Sequence, residues 1–111
     1  MSEAQEDLLV PLPVLVEVDQ LVAARLYPAV FIRLLDDIGQ GAYRLVDLEP
    51  EDFARVRDLC SQYADSHIGF VDAAVLAIVE RLNESKLATL DHHHFGMMRP
   101  RHVDALRLLP E

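Results

Sequence analysis

A run of apolar residues between positions 70 and 79 contains one acid, Asp72. Its alanine-rich composition and its length favour a helix over a strand, and the absence of a polar face before Glu80 indicates that this helix is buried. Residues 83–85 (NES) break the pattern. The next segment, residues 86–90 (KLATL), has the pattern of a short covered strand and ends at Asp91. This stretch therefore predicts a buried helix followed by a strand.

Two periodicities overlap in the segment PVLVEVDQLVAARL, which begins at Pro13. Three valines alternate as they would in a strand, at positions 14, 16 and 18. Helical spacing instead relates five apolar positions, Leu15, Val18, Leu21, Val22 and Leu26. The helical pattern extends over more residues and proline suits a first helical turn, so the segment predicts a helix. Residues 8–10 (LLV), just before it, predict a short strand.

The rest of the chain continues to alternate helices with short strands. Residues 27–38 predict an amphipathic helix whose inward side chains are Val30, Phe31, Leu34, Leu35 and Ile38. A strand at 43–46, a helix from 48 to 63, a turn or short helix at 92–98 and an edge strand at 106–109 follow. This alternation predicts the α/β class with a mostly parallel central sheet. No repeat or second domain is visible, so residues 1–111 are predicted to form one domain.

Three acids are predicted to meet at one edge of that sheet. In a parallel sheet a helix starts at the edge where the preceding strand ended, the next strand finishes there too, and ligands bind at this edge. Asp72 opens a helix, Asp91 ends a strand, and Glu17 lies early in the helix after the strand at 8–10. Carboxylates without an accompanying cysteine or close histidine pair favour Mg²⁺ or Mn²⁺.

Each of these acids, taken alone, also has a purely structural explanation. Asp72 can serve the dipole of its helix, which is worth about 0.3–1 kcal/mol. Asp91 can be an ordinary turn residue, and Glu17 can lie on a solvated helix face. Convergence weighs against these explanations, because several carboxylates packed against apolar residues need a cation or hydrogen-bond donors. The sequence therefore predicts a metal centre formed by the three acids.

The charge balance excludes a general nucleic-acid coat. Nineteen acids against ten Lys and Arg give this 111-residue chain a net charge of −9, whereas proteins that hold nucleic acid by its phosphates are usually basic. The single cysteine, Cys60, excludes an internal disulfide, and its spacing from Phe53 and Val56 predicts a buried, inert thiol. The chain starts with polar residues and no apolar run reaches the ~20 residues of a membrane helix, so we expect a cytoplasmic protein.

Two further polar clusters carry open alternatives. The adjacent histidines at 92–94 cannot all turn toward one ion, which argues against zinc, and we expect solvated turn residues or contacts to nucleic-acid phosphates. The basic cluster of Arg99, Arg101 and His102 either guides a nucleic acid to the acidic edge or forms a solvated loop. The remaining clustered acids are expected on solvated faces or at helix starts: Asp36, Asp37, Glu49, Glu51 and Asp52.

Three spaced motifs carry a resemblance to a known family. They are GFVDAAVLAIVERL from Gly69, KLATLDHHHF from Lys86 and MMRPRH from Met97. In order and separation they resemble the PIN-domain ribonucleases, specifically the VapC-type toxins of type II toxin–antitoxin systems. The resemblance covers residues 8–109 and implies a PIN-like three-layer α/β/α fold.

The resemblance also implies a function and its ligands. PIN domains hold a divalent ion with four acids, and Glu17, Asp72 and Asp91 match the second, third and fourth of them. The implied activity is that of an endoribonuclease that depends on Mg²⁺ or Mn²⁺ and cleaves RNA phosphodiesters. The implied partners are a VapB-type antitoxin that neutralises the toxin and a second copy of the chain in a homodimer.

The first acid of the family lies on an N-terminal strand, in a hydrophobic-Asp-(Ser/Thr) motif. Only sixteen residues precede Glu17, and none of them forms that motif. We therefore expect an N-terminally truncated PIN domain. The alternative function is a catalytically inactive module that binds only an antitoxin or a partner toxin. Loss of a central strand leaves backbone groups unpaired, so we also expect marginal stability that an upstream segment would improve.

Overall fold

The computed structural model describes residues 9–24, 28–89 and 92–109, with only the backbone described at 21–24. The described elements are, in order, β1 (Leu9–Pro11), α1 (Leu12–Ala24), α2 (Pro28–Gly39), β2 (Arg44–Val46), α3 (Asp52–Gln62), a 3₁₀ turn (Ala64–Ser66), α4 (Phe70–Arg81), β3 (Lys86–Ala88), α5 (His92–Met97) and β4 (Arg107–Leu109). The chain divides into two compact units, Met1–Asp47 and Leu48–Glu111. The assignment of one domain to residues 1–111 stays a prediction.

The first unit contains a parallel pair of strands connected by two helices. β1 pairs with β2, so that Leu9 lies opposite Arg44 and Val10 lies opposite Leu45. The ambiguous segment after β1 is the helix α1, as the longer periodicity predicted, and Pro13 is buried in its first turn. Three positions of the predicted apolar face, at 21, 22 and 26, lie outside the side chains that the structure describes.

The apolar face of α2 is narrower than the sequence predicted. Phe31, Leu34 and Ile38 are half-buried, but Val30 is 54% exposed and Leu35 is 43% exposed. At about 100° per residue, Val30 and Leu35 lie at the two margins of the apolar stripe and the other three side chains lie between them. The prediction that Val30 and Leu35 point inward is therefore wrong, because the unit covers only the centre of the stripe.

The second unit is built around α4. Seven consecutive residues of this helix, Ala73–Val79, are each at most 5% exposed, as expected for a helix without a polar face. Val56 and Leu59 of α3 and Phe95 and Met98 at α5 are buried as well. Phe70 departs from the prediction, because it is 51% exposed. It is the first residue of α4 and lies one turn before the buried segment begins.

α4 ends where the sequence predicted a break. Asn83 adopts a left-handed backbone conformation with φ of 55°. Its amide donates to the carbonyl of Glu80, and the amide of Glu84 donates to the carbonyl of Val79, both at 3.0 Å. This is the Schellman arrangement, in which asparagine takes the position that glycine usually occupies. The turn directs the chain into β3.

A second parallel pair of strands completes this unit. β3 pairs with β4, so that Leu87 lies opposite Leu108. The predicted strand at 86–90 is observed as Lys86–Ala88, and Leu90 lies outside the described residues. Both sheets of the described chain are parallel, and helices separate their strands. These observations confirm the predicted mixed α/β class with parallel strands.

The buried face of α3 differs from the predicted one. Asp52, Val56 and Leu59 are the buried residues, a spacing of four and three that marks one side of a helix. Phe53 is 52% exposed and Cys60 is only partly buried. The sequence placed Phe53, Val56 and Cys60 on the inward face. That assignment is confirmed for Val56. It is wrong for Phe53 and Cys60, because Asp52 and Leu59, one residue earlier in each case, take the buried positions.

Among the helices of the described residues, none is long and apolar enough to cross a membrane.

The packing of the second unit allows a direct test of its core. Leu76 is fully buried in α4. Replacing it with alanine leaves a cavity, and we expect Leu76→Ala to lower the free energy of unfolding by about 2–5 kcal/mol in denaturant titrations. Ile32→Ala, at a position that is 64% exposed, is the control, with an expected change below about 0.5 kcal/mol.

Candidate functional site

Asp72 lies in the first turn of the buried helix α4. Gly69 precedes the helix in an extended conformation, and Asp72 is the acid of its first turn. The side chain is 14% exposed, so the carboxylate lies near the surface but is largely covered. Backbone amides at a helix start carry partial positive charge, which favours an ionised carboxylate there. Asp72 therefore occupies the position predicted from the sequence, at the amino end of an apolar helix.

His94 contacts the carboxylate of Asp72. Its Nδ1 lies 3.3 Å from Oδ2 of Asp72, and the His94 side chain is 26% exposed. The sequence had placed all three histidines in a solvated turn or against RNA phosphates. His92 and His93 are exposed, but for His94 that expectation is wrong. The three residues form the first turn of a helix, α5, which directs successive side chains about 100° apart and turns His94 alone toward α4.

The other two predicted metal ligands have different outcomes. Glu17 lies on α1, directly after β1, with an exposed side chain. Asp91 lies outside the described residues. Glu17 and Asp72 belong to different units of the chain. Within the residues that the structure describes, no group of three or more His, Cys, Asp or Glu side chains could hold a metal ion. The convergence of Glu17, Asp72 and Asp91 stays a prediction.

A second polar cluster lies at the other end of α4. Glu80 follows Asp72 by eight residues, about 12 Å along the axis at roughly 1.5 Å per residue. Nε and Nη2 of Arg55 donate to the two carboxylate oxygens of Glu80 at 2.7 and 2.8 Å. Both side chains are about nine-tenths buried, with exposures of 11% and 10%. The hydrogen bonds to Glu80 raise the pKa of Arg55 above its ordinary value, against an opposing desolvation of the guanidinium.

The Arg55–Glu80 pair holds the loop that contains the basic cluster. The backbone amide of Arg101 donates to Glu80 at 2.9 Å, and Arg55 donates to the carbonyl of Arg99 at 3.2 Å. The hydroxyl of Tyr63 accepts a hydrogen bond from the amide of Arg99 at 2.8 Å. The loop is thus fixed through its backbone, and the side chains of Arg99 and Arg101 remain exposed.

His102 differs from its two basic neighbours because its ring points into the second unit. Its Nε2 contacts the carbonyl of Glu84, and its Nδ1 is buried without a hydrogen-bond partner among the described residues. Beside it lies an open cleft of about 310 Å³, whose lining includes Arg55, Glu80 and Arg101. The cleft is at the opposite end of α4 from Asp72. Of the predicted basic cluster, only Arg99 and Arg101 are placed to contact a large ligand from solvent.

Asp52 forms the second buried ion pair of this unit. It is 4% exposed, and Nε of Arg81 lies 3.0 Å from its Oδ2. The same oxygen accepts a hydrogen bond of 2.7 Å from the amide of Glu49, at the turn that precedes α3. The sequence predicted solvated faces or helix starts for this group of acids, and Asp52 does start a helix. What the sequence did not predict is its burial and its partner, Arg81 of α4.

No protein-family model matches the chain. Its sequence is, however, similar to Ribonuclease VapC26 of Mycobacterium tuberculosis, with 30% identity over 99 residues. The match covers 88% of this chain and 73% of that protein. The chain belongs to the VapC ribonuclease family. Membership agrees with the resemblance drawn from the three motifs around residues 69, 86 and 97, and with the α/β fold and parallel strands of this VapC-family chain.

Sequence reasoning missed three side chains that shape this VapC-family chain: Glu80, Asp52 and His94. For Glu80 a signal was present, because a carboxylate directly after seven buried helical residues is itself partly covered and needs a partner. For Asp52 the signal was its spacing of four and seven residues from Val56 and Leu59. For His94 we find no signal, because three identical neighbours give no indication of which one turns inward.

Proposed function

We propose that this chain is a metal-dependent endoribonuclease of the VapC type, in which Glu17, Asp72 and Asp91 hold Mg²⁺ or Mn²⁺. The observation that carries the proposal is the covered carboxylate of Asp72 at the start of α4, in a chain of the VapC family. An oxygen ligand of this kind suits a hard divalent cation. Such an ion, when bound, lowers the pKa of a coordinated water and offsets charge on a phosphodiester.

The proposed substrate is RNA, which is what the name Ribonuclease VapC26 indicates for the similar protein. A chain with a net charge of −9 repels polyphosphate, so the substrate has to be recruited locally. Arg99 and Arg101 are exposed on a loop whose backbone is held by Arg55, Glu80 and Tyr63. Because the backbone of the loop is already held, placing these cations against phosphates costs less conformational entropy.

The proposed protein partners are a VapB-type antitoxin, which neutralises the nuclease, and a second copy of the chain. Support comes from exposed apolar side chains on α2, where Ile32, Val30 and Leu35 are 64%, 54% and 43% exposed. Exposed apolar residues grouped on one helix are typical of protein interaction surfaces. The negative charge of the chain suits a basic partner.

The proposed activity is tested by RNA cleavage with Mg²⁺, with Mn²⁺ and with EDTA. We expect the full chain to cleave a mixed RNA pool in the presence of either ion. Cleavage should stop when EDTA removes the ion, because the ion lowers the pKa of the attacking water and offsets charge on the phosphodiester. Adding Mg²⁺ back in excess should restore the cleavage. Equal cleavage with and without EDTA would contradict the proposal. An absence of cleavage together with binding to a VapB-type antitoxin would favour the inactive binding module instead.

A further inference from the structure

We propose that His94 is a positioning residue for Asp72, which holds the carboxylate in one orientation for a divalent cation. The inference deepens the proposed function and rests on it. It assigns a role to one of three adjacent histidines, and it predicts that His92 and His93 do not share this role. His94 itself does not bind the cation in this account. It acts through the hydrogen bond that it donates to Asp72.

The contact has a defined direction. An ionised carboxylate only accepts hydrogen bonds, so Nδ1 of His94 carries the hydrogen that faces Oδ2 of Asp72, 3.3 Å away. Asp72 is 14% exposed, so water does not readily replace the imidazole. The contact with His94 restricts the rotamers that the Asp72 side chain can adopt. This restriction lowers the entropy that is lost when the carboxylate binds a cation.

His94 is itself held by the packing of α5. The next residue, Phe95, is 6% exposed, and Met98 is 2% exposed. The amide of Met98 donates to the carbonyl of His94 at 3.1 Å. Phe95 and Met98 are therefore buried residues that anchor the segment carrying His94. His93 lies on the same helix with an exposed side chain, its ring centroid 5.4 Å from that of His94. It provides a matched control.

The test measures Mn²⁺ binding to the full chain by calorimetry and by the loss of the Mn²⁺ paramagnetic resonance signal. Removing a group that hydrogen-bonds a ligating carboxylate typically costs 10–100-fold in metal affinity. We expect His94→Ala to weaken Mn²⁺ binding by about this factor. We expect His94→Asn to retain most of the wild-type affinity, because its amide N–H group can replace Nδ1–H. The control His93→Ala should bind Mn²⁺ as the wild type does.

A size-matched variant separates positioning from packing. His94→Phe keeps a ring against α4 but donates no hydrogen bond, so it should bind Mn²⁺ as weakly as His94→Ala. Thermal unfolding without metal shows which variants are folded. If His94→Ala is unfolded, the Mn²⁺ affinities of His94→Phe and His94→Asn are compared instead. The positioning role of His94 would be overturned by wild-type Mn²⁺ affinity in His94→Phe, or by an equal loss of affinity in His94→Phe and His94→Asn. Either result would leave the proposed function standing. A wild-type chain that binds no Mn²⁺ would overturn the proposed function and this inference with it.

Discussion

Asp72→Asn is expected to lower the rate of Mg²⁺-dependent RNA cleavage by a factor on the order of 100 to 10,000. The substitution keeps the size of the side chain but removes the negative charge that attracts the cation. A bound cation stabilises the transition state of phosphodiester cleavage by several kcal/mol, and each ~1.4 kcal/mol is a factor of ten in rate. The measurement is initial cleavage rate against Mg²⁺ concentration, with a labelled RNA and purified variants.

The control for this experiment is Asp65→Asn, at an exposed position in the 3₁₀ turn that precedes α4. It makes the same chemical change within the same unit of the chain, and it should cleave RNA at the wild-type rate. Thermal unfolding should show Asp72→Asn to be folded, since asparagine keeps the size of the side chain and the charge of an acid in the first turn of a helix is worth about 0.3–1 kcal/mol through the dipole. Wild-type cleavage by a folded Asp72→Asn variant would remove Asp72 from the metal centre.

The second large effect is expected at the other end of α4, from Glu80→Ala. Glu80 accepts two hydrogen bonds from the buried guanidinium of Arg55 and one from the amide of Arg101. Removing its carboxylate takes away the anion that pairs with the buried guanidinium of Arg55, which keeps its hydrogen bond to the carbonyl of Arg99. Breaking a buried ion pair in this way typically costs about 3–5 kcal/mol. We expect the free energy of unfolding in urea to fall by that amount.

We compare Glu80→Ala with Arg55→Ala and with the variant that carries both changes. The comparison shows how much of the lost free energy of unfolding comes from the interaction between the two side chains. If the two side chains act together, the double variant should be less destabilised than the sum of the single changes. Arg57→Ala is the surface control, because its ion pair with Asp58 is open to solvent and exposed pairs contribute little. Additive losses would mean that Arg55 and Glu80 stabilise the unit independently.

The Glu80→Ala variant also separates stability from substrate contact. Loss of Glu80 releases one of the hydrogen bonds that fix the backbone of the loop carrying Arg99 and Arg101. Below its unfolding midpoint, the variant still has both exposed arginines and an intact Asp72. If Arg99 and Arg101 recruit RNA, this variant should therefore have a higher KM for RNA and little change in kcat.

Local sequence patterns were sufficient to predict features that depend on a single helix or strand. The run from Phe70 to Val79 predicted a buried helix because seven consecutive small and apolar residues leave no polar side to expose. The break at 83–85 was equally local, since Asn83 tolerates the left-handed conformation that ends the helix. The helix after β1 could be chosen over a strand because its periodicity persisted over more residues.

The same patterns were not sufficient to predict the burial of apolar residues at the edges of a helix face. Phe53, Phe70, Val30 and Leu35 are apolar and were expected inside, yet each is more than 40% exposed. Periodicity identifies a stripe of apolar residues but not its covered width, which depends on the size and position of the neighbouring elements. A small unit covers the middle of the stripe and leaves its edges open. The convergence of Glu17, Asp72 and Asp91 and the N-terminal truncation stay predictions of the sequence.

The sequence by itself determined the α/β class, the buried core helix and the placement of Asp72 at the start of that helix. Only the tertiary structure decided the partners of the charged and titratable side chains. Glu80 pairs with Arg55 across 25 residues, Asp52 pairs with Arg81 across 29, and His94 reaches Asp72 from a separate helix. The physical reason is that burial follows from local periodicity, whereas an ion pair depends on which faces of two helices pack together and in what register.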